Sequence, residues 1–235
     1  MTNVSPACGL YPRTAADVDW RNRVIRVSRT RPRYGRAIRD YFEDLWERLP
    51  EDLEPPSFEL RAGFLRSEVR AGDRALDLGC GAGEFTAVMA DAGARAIGVD
   101  VAEAALARAR VRHPALDFRL VPVEGPLPLE DNTFDLVWAS EVIEHVADTG
   151  RWLSEVRRVL APGGQLLVTT PSHGRGRVAL GGVERFSDPL GDHLHLYTRA
   201  SLRTLLGEFG FGEVQVRAVE GPPLLKRTLM AKAVR

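Results

Sequence analysis

The sequence contains little cysteine and lysine and has no long apolar run. Only Cys8 and Cys80 occur among its 235 residues, which excludes a disulfide framework and a four-cysteine zinc site. No apolar run approaches the roughly 20 residues of a membrane helix, and residues 1–20 lack the basic start and apolar stretch of a secretory signal. Collagen-like and disordered classes are excluded because glycine is aperiodic and 44% of the residues are hydrophobic. These absences predict a globular chain in a reducing, cytoplasmic setting.

Charge is unevenly distributed although it sums to zero. Of the 32 basic residues only Lys226 and Lys232 are lysines, and eight arginines with no acid lie between Asp19 and Asp40. This arginine-rich segment (residues 21–39) has three interpretations: a solvated arm, a site for an acidic or phosphorylated substrate, or a nucleic-acid contact. Nucleic acid is the least favoured of the three, because aromatic residues that would stack on bases are sparse in the segment.

The apolar pattern divides the chain into three parts. Residues 1–19 are expected to form a loose arm, residues 20–70 a helical cap, and residues 71–235 an α/β domain, because single helices separate the predicted strands. Predicted helices cover 34–49, 57–69, 84–93, 102–112, 149–160 and 198–210, and predicted strands cover 75–79, 95–100, 117–123, 134–140, 165–171, 213–219 and 228–234. Ser57 and Thr198 are expected to be helix N-caps.

The most specific motif is a glycine-rich turn after the first predicted strand. The segment LDLGCGAGEFT (residues 76–86) places Gly79, Gly81 and Gly83 in alternation. Glycine there allows a positive φ and a close approach of the backbone to a ligand. A nicotinamide fingerprint requires glycine at the sixth position, which Glu84 occupies, so an NAD-dependent oxidoreductase is disfavoured.

The glycine motif and four later segments resemble class I S-adenosylmethionine-dependent methyltransferases, over about residues 71–235. The later segments are Gly98-Val99-Asp100, FDLVWASEVIEHV (134–146), LSEVRRVLAPGGQLLVTTP (153–171) and HLYTRASLRTLLGEFGF (195–211). Similarity is greatest to the type that acts in ubiquinone and menaquinone biosynthesis and in antibiotic or sugar modification. The resemblance implies a Rossmann-like, seven-stranded, mostly parallel sheet with an antiparallel last strand, to which the N-terminal helical cap is added.

The resemblance also implies that S-adenosylmethionine is the cofactor. Asp100 would accept hydrogen bonds from both ribose hydroxyls. The chain departs from the family's pattern after the third strand, where Val123 stands in place of the usual aspartate and Glu124 follows. The implied cofactor-binding residues are Asp77, Gly79, Cys80, Gly81, Gly83, Phe85, Asp100, Val101, Val123, Glu124, Ser140 and Glu141.

The acceptor side of the site is expected in an irregular insertion, residues 172–197. If residues 192–198 are extended, His193, His195 and Tyr197 share one face, and an imidazole can take a proton from a hydroxyl near neutral pH. The resemblance favours His193 over His195. A third catalytic candidate is His145, the expected substrate contacts are Tyr197, His173 and Trp138, and no metal site is expected.

We therefore expect an S-adenosylmethionine-dependent methyltransferase that acts on a hydroxyl or amine of a small molecule. Methylation of RNA or protein through the arginine-rich segment is the alternative. A cofactor-binding scaffold without catalysis is a second alternative. The acceptor and the oligomeric state stay open.

Overall fold

The computed structural model describes residues 34–123, 125–174, 193–222, 225 and 227–235. The predicted loose arm, most of the arginine-rich segment, Glu124 and most of the 172–197 insertion lie outside the described residues. The helices are α1 (Tyr34–Arg48), α2 (Phe58–Glu68), α3 (Glu84–Asp91), α4 (Glu103–Arg112), α5 (Thr149–Val159) and α6 (Arg199–Glu208). The strands are β1 (Arg74–Leu78), β2 (Arg95–Asp100), β3 (Asp117–Leu120), β4 (Phe134–Ser140), β5 (Leu160–Pro171), β6 (Gly212–Val219) and β7 (Thr228–Val234).

The seven strands form one sheet in the order β3-β2-β1-β4-β5-β7-β6. Strands β1 to β5 pair in parallel, whereas β7 is antiparallel to both of its neighbours, β5 and β6. This arrangement confirms the predicted Rossmann-like sheet with an antiparallel last strand. The strand order reverses between β1 and β4, and ligands of open α/β sheets bind beside the carboxyl ends of the strands at such a point.

Two strands differ from their predicted bounds by more than one residue. Strand β5 already begins at Leu160, where it pairs with Phe134 before a register shift, although the Pro-Gly-Gly that follows indicated a turn. Strand β3 ends at Leu120 because its pairing with β2 stops where β2 ends, at Asp100.

The sheet separates two hydrophobic cores. Alternation along β4 sends Val137 and Ala139 into the core on one face, and Leu136 and Trp138 into the core on the other. Helix α5 packs on the first face through residues that include Leu153, and helices α2 and α3 pack on the second. The central strands β1, β4 and β5 are buried on both faces, as is usual for parallel sheets, whereas the edge strands β3 and β6 are largely exposed.

The two predicted N-caps have different outcomes. Thr198 caps α6 in a reciprocal capping box with Ser201, as predicted. Ser57 precedes α2, but it has a φ of 54° and its side chain does not cap the helix. Its hydroxyl donates instead to Glu220 at 2.5 Å, so the prediction of a side-chain cap is wrong.

Replacement of Leu167 by alanine tests the packing of the second core. Leu167 is fully buried on β5, so the truncation should lower the free energy of unfolding by about 2–5 kcal/mol. The control is Val111→Ala on α4, where the side chain is 83% exposed and the change should stay within about 0.5 kcal/mol. Urea unfolding measures both variants, and equal effects would contradict the described core.

Candidate active site

The glycine loop, residues 79–83, is tied to the end of β2 by the buried carboxylate of Asp100. One oxygen of Asp100 accepts the Gly81 amide at 2.9 Å, and the other accepts the Ala102 amide at 3.0 Å. The amides of Gly79 and Cys80 both donate to the carbonyl of Val99, at 2.8 and 3.0 Å. The end of β2 therefore sets the shape of the loop.

Glycine is required in this loop by contacts within the protein. Gly79 has a φ of 80°, and a Cβ there would lie 2.5 Å from a methyl group of Val142. Gly81 has a φ of 55°, and a Cβ there would lie 2.8 Å from the ring of Trp46. A side chain at Gly79 would therefore displace Val142, and a side chain at Gly81 would displace Trp46. Close packing is thus sufficient to explain both glycines.

The Asp77 carboxyl connects β1 to α3. It is buried and accepts the hydroxyl of Thr86 at 2.6 Å. Burial raises the pKa of Asp77 to about 7, and the nearby charge of Asp100 acts in the same direction. The hydrogen bond to Thr86 gives Asp77 a structural role beside the loop.

The carboxylate of Asp100 has the chemistry that a ribose diol requires. Each of its oxygens accepts one backbone amide, and an ionised carboxylate offers about four acceptor positions. Burial raises the pKa of Asp100, and the hydrogen bonds from Ala102 and Gly81 oppose that shift. Val101 is half-buried directly after it. These residues fit the ribose of S-adenosylmethionine, whereas Val123 is half-buried and shows no comparable polar group.

Phe85 and Trp138 pack against other aromatic side chains in the core. The Trp138 ring is fully buried, 5.2 Å from the ring of Phe85 and 6.0 Å from that of Phe64. Phe85 also contacts Phe58, at 5.4 Å. Both side chains fill the core between the sheet and helices α2 and α3. The cofactor contact of Phe85 and the substrate contact of Trp138 stay predictions, to which these core contacts lend no support.

A buried ion pair lies at the carboxyl end of β4. Glu141 follows the strand with a φ of 56°, and its carboxylate pairs with Arg61 at 3.2 Å and accepts Thr169 at 3.2 Å. Ser140 also bonds Thr169, at 2.8 Å. Arg61 is only 4% exposed, and the sequence analysis did not identify it. Its position on the apolar face of α2, three residues before Phe64, was the available signal.

Glu144, His145 and His193 form a second cluster beside this ion pair. One oxygen of the fully buried Glu144 accepts Thr170 at 2.9 Å, and the other has no hydrogen-bond partner within the described residues. Burial raises the pKa of Glu144 well above its usual range, and the charge of Glu141 adds to the shift. The side chain of His145 lies 3.9 Å from the Glu144 carboxylate, and its ring lies 4.9 Å from that of His193.

The Glu144–His145–His193 cluster has two possible chemical uses. Two imidazoles beside a carboxyl can accept and hold a proton. One ligand atom from each of the three residues also lies within 4.8 Å of the others, so the cluster could hold a metal ion. The sequence analysis expected no metal here, because it did not bring Glu144 together with the histidines.

Three other residues that were predicted on the side of the acceptor substrate form hydrogen bonds that hold residues 193–197 in place. The His195 ring lies 2.9 Å from the carbonyl of Val146. The amide of Tyr197 donates to the His173 ring at 3.1 Å, and the His173 amide donates to Tyr197 in return. Tyr197 and His173 are both buried. Of the predicted face His193, His195 and Tyr197, His193 belongs to the cluster through its ring, whereas His195 meets Glu144 through its backbone amide.

A cavity of about 230 Å³ lies at the opposite edge of the sheet. Its polar lining comes from the amino ends of the strands and includes Asp73, Asp135 and Gln165. It is separated from the glycine loop by the length of the strands, so we do not assign it to the site.

The raised pKa of Asp77 predicts a pH-dependent loss of stability. The unfolded carboxyl ionises near pH 3.8 and the folded one near 7, so the contribution of Asp77 to stability is lost as the pH rises through this range. Asp77→Asn removes the effect. Its stability relative to the native chain should increase by about 2–3 kcal/mol between pH 5 and pH 8. Urea unfolding at each pH measures this, with exposed Asp91→Asn as control, and a constant difference would contradict the prediction.

Comparison with known proteins agrees with this geometry. Residues 76–168 match a family described as a methyltransferase domain. A probable S-adenosylmethionine-dependent methyltransferase of Mycolicibacterium smegmatis is 43% identical over 102 residues, which cover 43% of this chain and 39% of that protein. A ubiquinone biosynthesis O-methyltransferase of a Bradyrhizobium species is 39% identical over 104 residues, covering 43% and 40%. The chain thus spans about two fifths of the length of these relatives.

Solved structures show the same fold at low sequence identity. An S-adenosylmethionine-dependent methyltransferase of Mesorhizobium loti has a TM-score of 0.59 and 22% identity, covering 74% of this chain and 96% of that one. A Haemonchus contortus phosphoethanolamine N-methyltransferase, solved with S-adenosylmethionine, has a TM-score of 0.66 and 19% identity, covering 83% and 56%. Residues 76–168 are therefore a methyltransferase domain, and the chain has the fold of the class I S-adenosylmethionine-dependent methyltransferases.

Proposed function

We propose that this protein transfers the methyl group of S-adenosylmethionine to a hydroxyl of a small molecule. The observation that carries the proposal is the placement of two different groups at one sheet edge. Asp100, at the end of β2, suits a ribose diol, and the Glu144–His145–His193 cluster, after β4, suits a hydroxyl that must lose its proton. The switch point between β1 and β4 lies between them.

The relatives support oxygen rather than nitrogen as the acceptor atom. Several of them are named as ubiquinone biosynthesis O-methyltransferases. The phosphoethanolamine enzyme methylates nitrogen by its name, but at 19% identity it supports the fold alone. A neutral amine already carries its lone pair, so it has less need of the base that this site provides.

The protein would contribute mainly by positioning. Bound S-adenosylmethionine supplies a methyl carbon on a positively charged sulfur. Asp100 would hold the ribose, and the glycine loop would let the backbone approach the ligand closely. Fixing donor and acceptor at contact distance supplies about 7–11 kcal/mol of a barrier of this kind.

His193 is the proposed general base. It would take the proton from the acceptor oxygen as the new carbon–oxygen bond forms. His145 contacts the His193 ring, and the Glu144 carboxyl lies behind His145. Both residues would therefore orient His193. His195 is bonded to the carbonyl of Val146 and would only hold the segment in place.

The location of the protein in the cell is also part of this proposal. None of the helices in the described ranges combines the length and the apolar character needed to cross a membrane. A cytoplasmic location is supported by the free thiol of Cys80, which is buried in the glycine loop. Burial there raises the pKa of Cys80 well above its usual range, so the thiol stays protonated and unreactive.

Asp100→Ala tests the cofactor assignment. The substitution removes a charged hydrogen-bond acceptor, the Asp100 carboxylate. It should weaken S-adenosylmethionine binding by about 1.5–3 kcal/mol, or roughly 10- to 150-fold. Calorimetric titration measures the affinity, and thermal unfolding confirms that the variant is folded. The control is Asp117→Ala on β3, an exposed acid that pairs with Arg119. Unchanged affinity in a folded Asp100→Ala protein would show that the ribose assignment is wrong.

His193→Ala and His195→Ala separate the base from the residue that holds the segment. Removal of a positioned general base lowers the rate by about 10²–10⁴. We expect that loss for His193→Ala, with cofactor affinity unchanged and an altered rate profile between pH 6 and 9, and a smaller loss for His195→Ala. Single-turnover methyl transfer to an acceptor chosen from a panel of phenols and sugars provides the measurement. Each reaction is repeated with a chelator, because loss of activity in the native chain would indicate a metal ion at the cluster.

A loss of less than tenfold for His193→Ala, with an unaltered pH profile, would contradict the assignment of the base. Positioning alone would then account for the reaction.

A further inference from the structure

Helix α1 lies across the part of the sheet edge where the cofactor is proposed to bind. The ring of Trp46 packs against Gly81, because a Cβ on that glycine would lie 2.8 Å from the ring. Arg39 donates to the carbonyl of Val121, just beyond β3, at 3.2 Å. The ring of Phe42 lies 5.8 Å from that of His145, beyond β4. One helix thus contacts the loop after β1 and the residues that follow β3 and β4.

The amino end of α4 is capped by a residue of α1. The N-cap residue of α4 is Ala102, which has no side-chain acceptor. The carboxylate of Glu43 supplies it, with one oxygen accepting the amide of Glu103 at 2.7 Å and the other accepting the amide of Ala104 at 2.8 Å. A carboxylate at this position also interacts favourably with the helix dipole. The start of α4 therefore depends on a side chain about 60 residues earlier in the chain.

A residue of α4 in turn caps the carboxyl end of α1. Arg108 donates to the carbonyl of Leu49 at 2.7 Å and to that of Pro50 at 3.0 Å. Its guanidinium carbon also lies 5.8 Å from the centre of the Trp46 ring, within the range of a cation–π contact. Glu43 and Arg108 thus join the two helices reciprocally. Glu43 accepts two amides at the start of α4, and Arg108 donates to two carbonyls directly after α1.

We propose that Glu43 and Arg108 form a latch that holds α1 over the cofactor site and limits the rate of cofactor exchange. The proposal rests on the proposed function, because it takes the cofactor to lie at Asp100 beneath α1. Asp100 precedes α4 by three residues, and Trp46 covers the loop that Asp100 anchors. In this proposal the cofactor reaches the Asp100 carboxylate between α1 and α4, because Trp46 of α1 covers the glycine loop on one side and α4 begins directly after Asp100 on the other. Opening that path breaks the Glu43 and Arg108 hydrogen bonds.

Glu43→Ala tests the latch through exchange kinetics. Capping interactions of this kind are worth enough to change an equilibrium about fivefold to thirtyfold. We expect tritiated S-adenosylmethionine to dissociate from Glu43→Ala faster by that factor, measured by rapid filtration. Association should accelerate as well, so the Kd should change less than the dissociation rate. Glu47→Ala, an exposed glutamate of the same helix, is the matched control and should stay within about twofold of the native chain.

Hydrogen exchange provides a second measurement that needs no cofactor. In Glu43→Ala the amides of Glu103 and Ala104 lose their acceptor and should exchange faster, together with the amides of α1. Arg108→Gln should also accelerate exchange along α1, and it serves as the second variant if Glu43→Ala folds poorly. The Glu47→Ala protein should exchange like the native chain.

The outcomes separate the latch from the proposed function. Faster exchange at Glu103 and Ala104, with an unchanged dissociation rate and an unchanged α1, would show that Glu43 only caps α4 and would overturn the proposal. If the native chain does not bind S-adenosylmethionine, the proposed function fails. The exchange of α1 in the two variants then decides whether the helices are latched.

Discussion

Three buried carboxyl groups at the carboxyl edge of the sheet impose the main constraint on this structure. Asp77, Asp100 and Glu144 lie on or just after β1, β2 and β4, and burial raises the pKa of each. Desolvation of a carboxyl is unfavourable, so each needs donors around it. Thr86, the loop amides and Thr170 provide them. A concentration of buried carboxyl groups with raised pKa values is typical of functional sites.

Much of the fold could be predicted from residue patterns, but the face to which a buried strand residue points could not. The alternation of short apolar runs with helices predicted the mostly parallel sheet, and the resemblance to the methyltransferases supplied the antiparallel β7. Trp138 and Phe85, which were predicted to contact ligands, pack in a core, and the pattern gave no sign of this because β4 and the start of α3 are apolar on both sides. In such segments the pattern does not distinguish a core contact from a ligand contact. An amphipathic segment makes this distinction, because its exposed and buried residues alternate. In residues 193–197 the exposed Leu194 and Leu196 alternate with His193, His195 and Tyr197, as predicted.

The contacts that join distant parts of the chain left weaker signals in the sequence than the helices and strands did. Arg61 was not identified because α2 is short and has other charges, although its position on the apolar face was visible. The capping of α4 by Glu43 had no signal at all, since a carboxylate on a helix is ordinarily solvated. His193 and His195 were predicted to be on one face, but their roles depend on partners at Val146 and His145. Only tertiary structure supplies such partners.

The two halves of the site have different origins in the chain. The cofactor half and Glu144 lie within residues 76–168, the segment that matches the methyltransferase domain. Arg61 on α2 and His193 lie outside it, so the proposed acceptor half includes parts of the chain that the family match does not cover. Similarity in the matched segment therefore supports the assignment of the cofactor more strongly than the assignment of the acceptor substrate.

One main-chain oxygen accepts two consecutive amides of the segment that carries His193. The amides of Leu194 and His195 both donate to the carbonyl of Glu144, at 2.8 and 3.1 Å. Because that acceptor belongs to the backbone, replacement of the Glu144 side chain leaves the docking point in place. The acceptor-side segment is thus separable from the chemistry of the residue on which it docks. A designer could graft a different segment there, provided that two consecutive amides reach the same carbonyl.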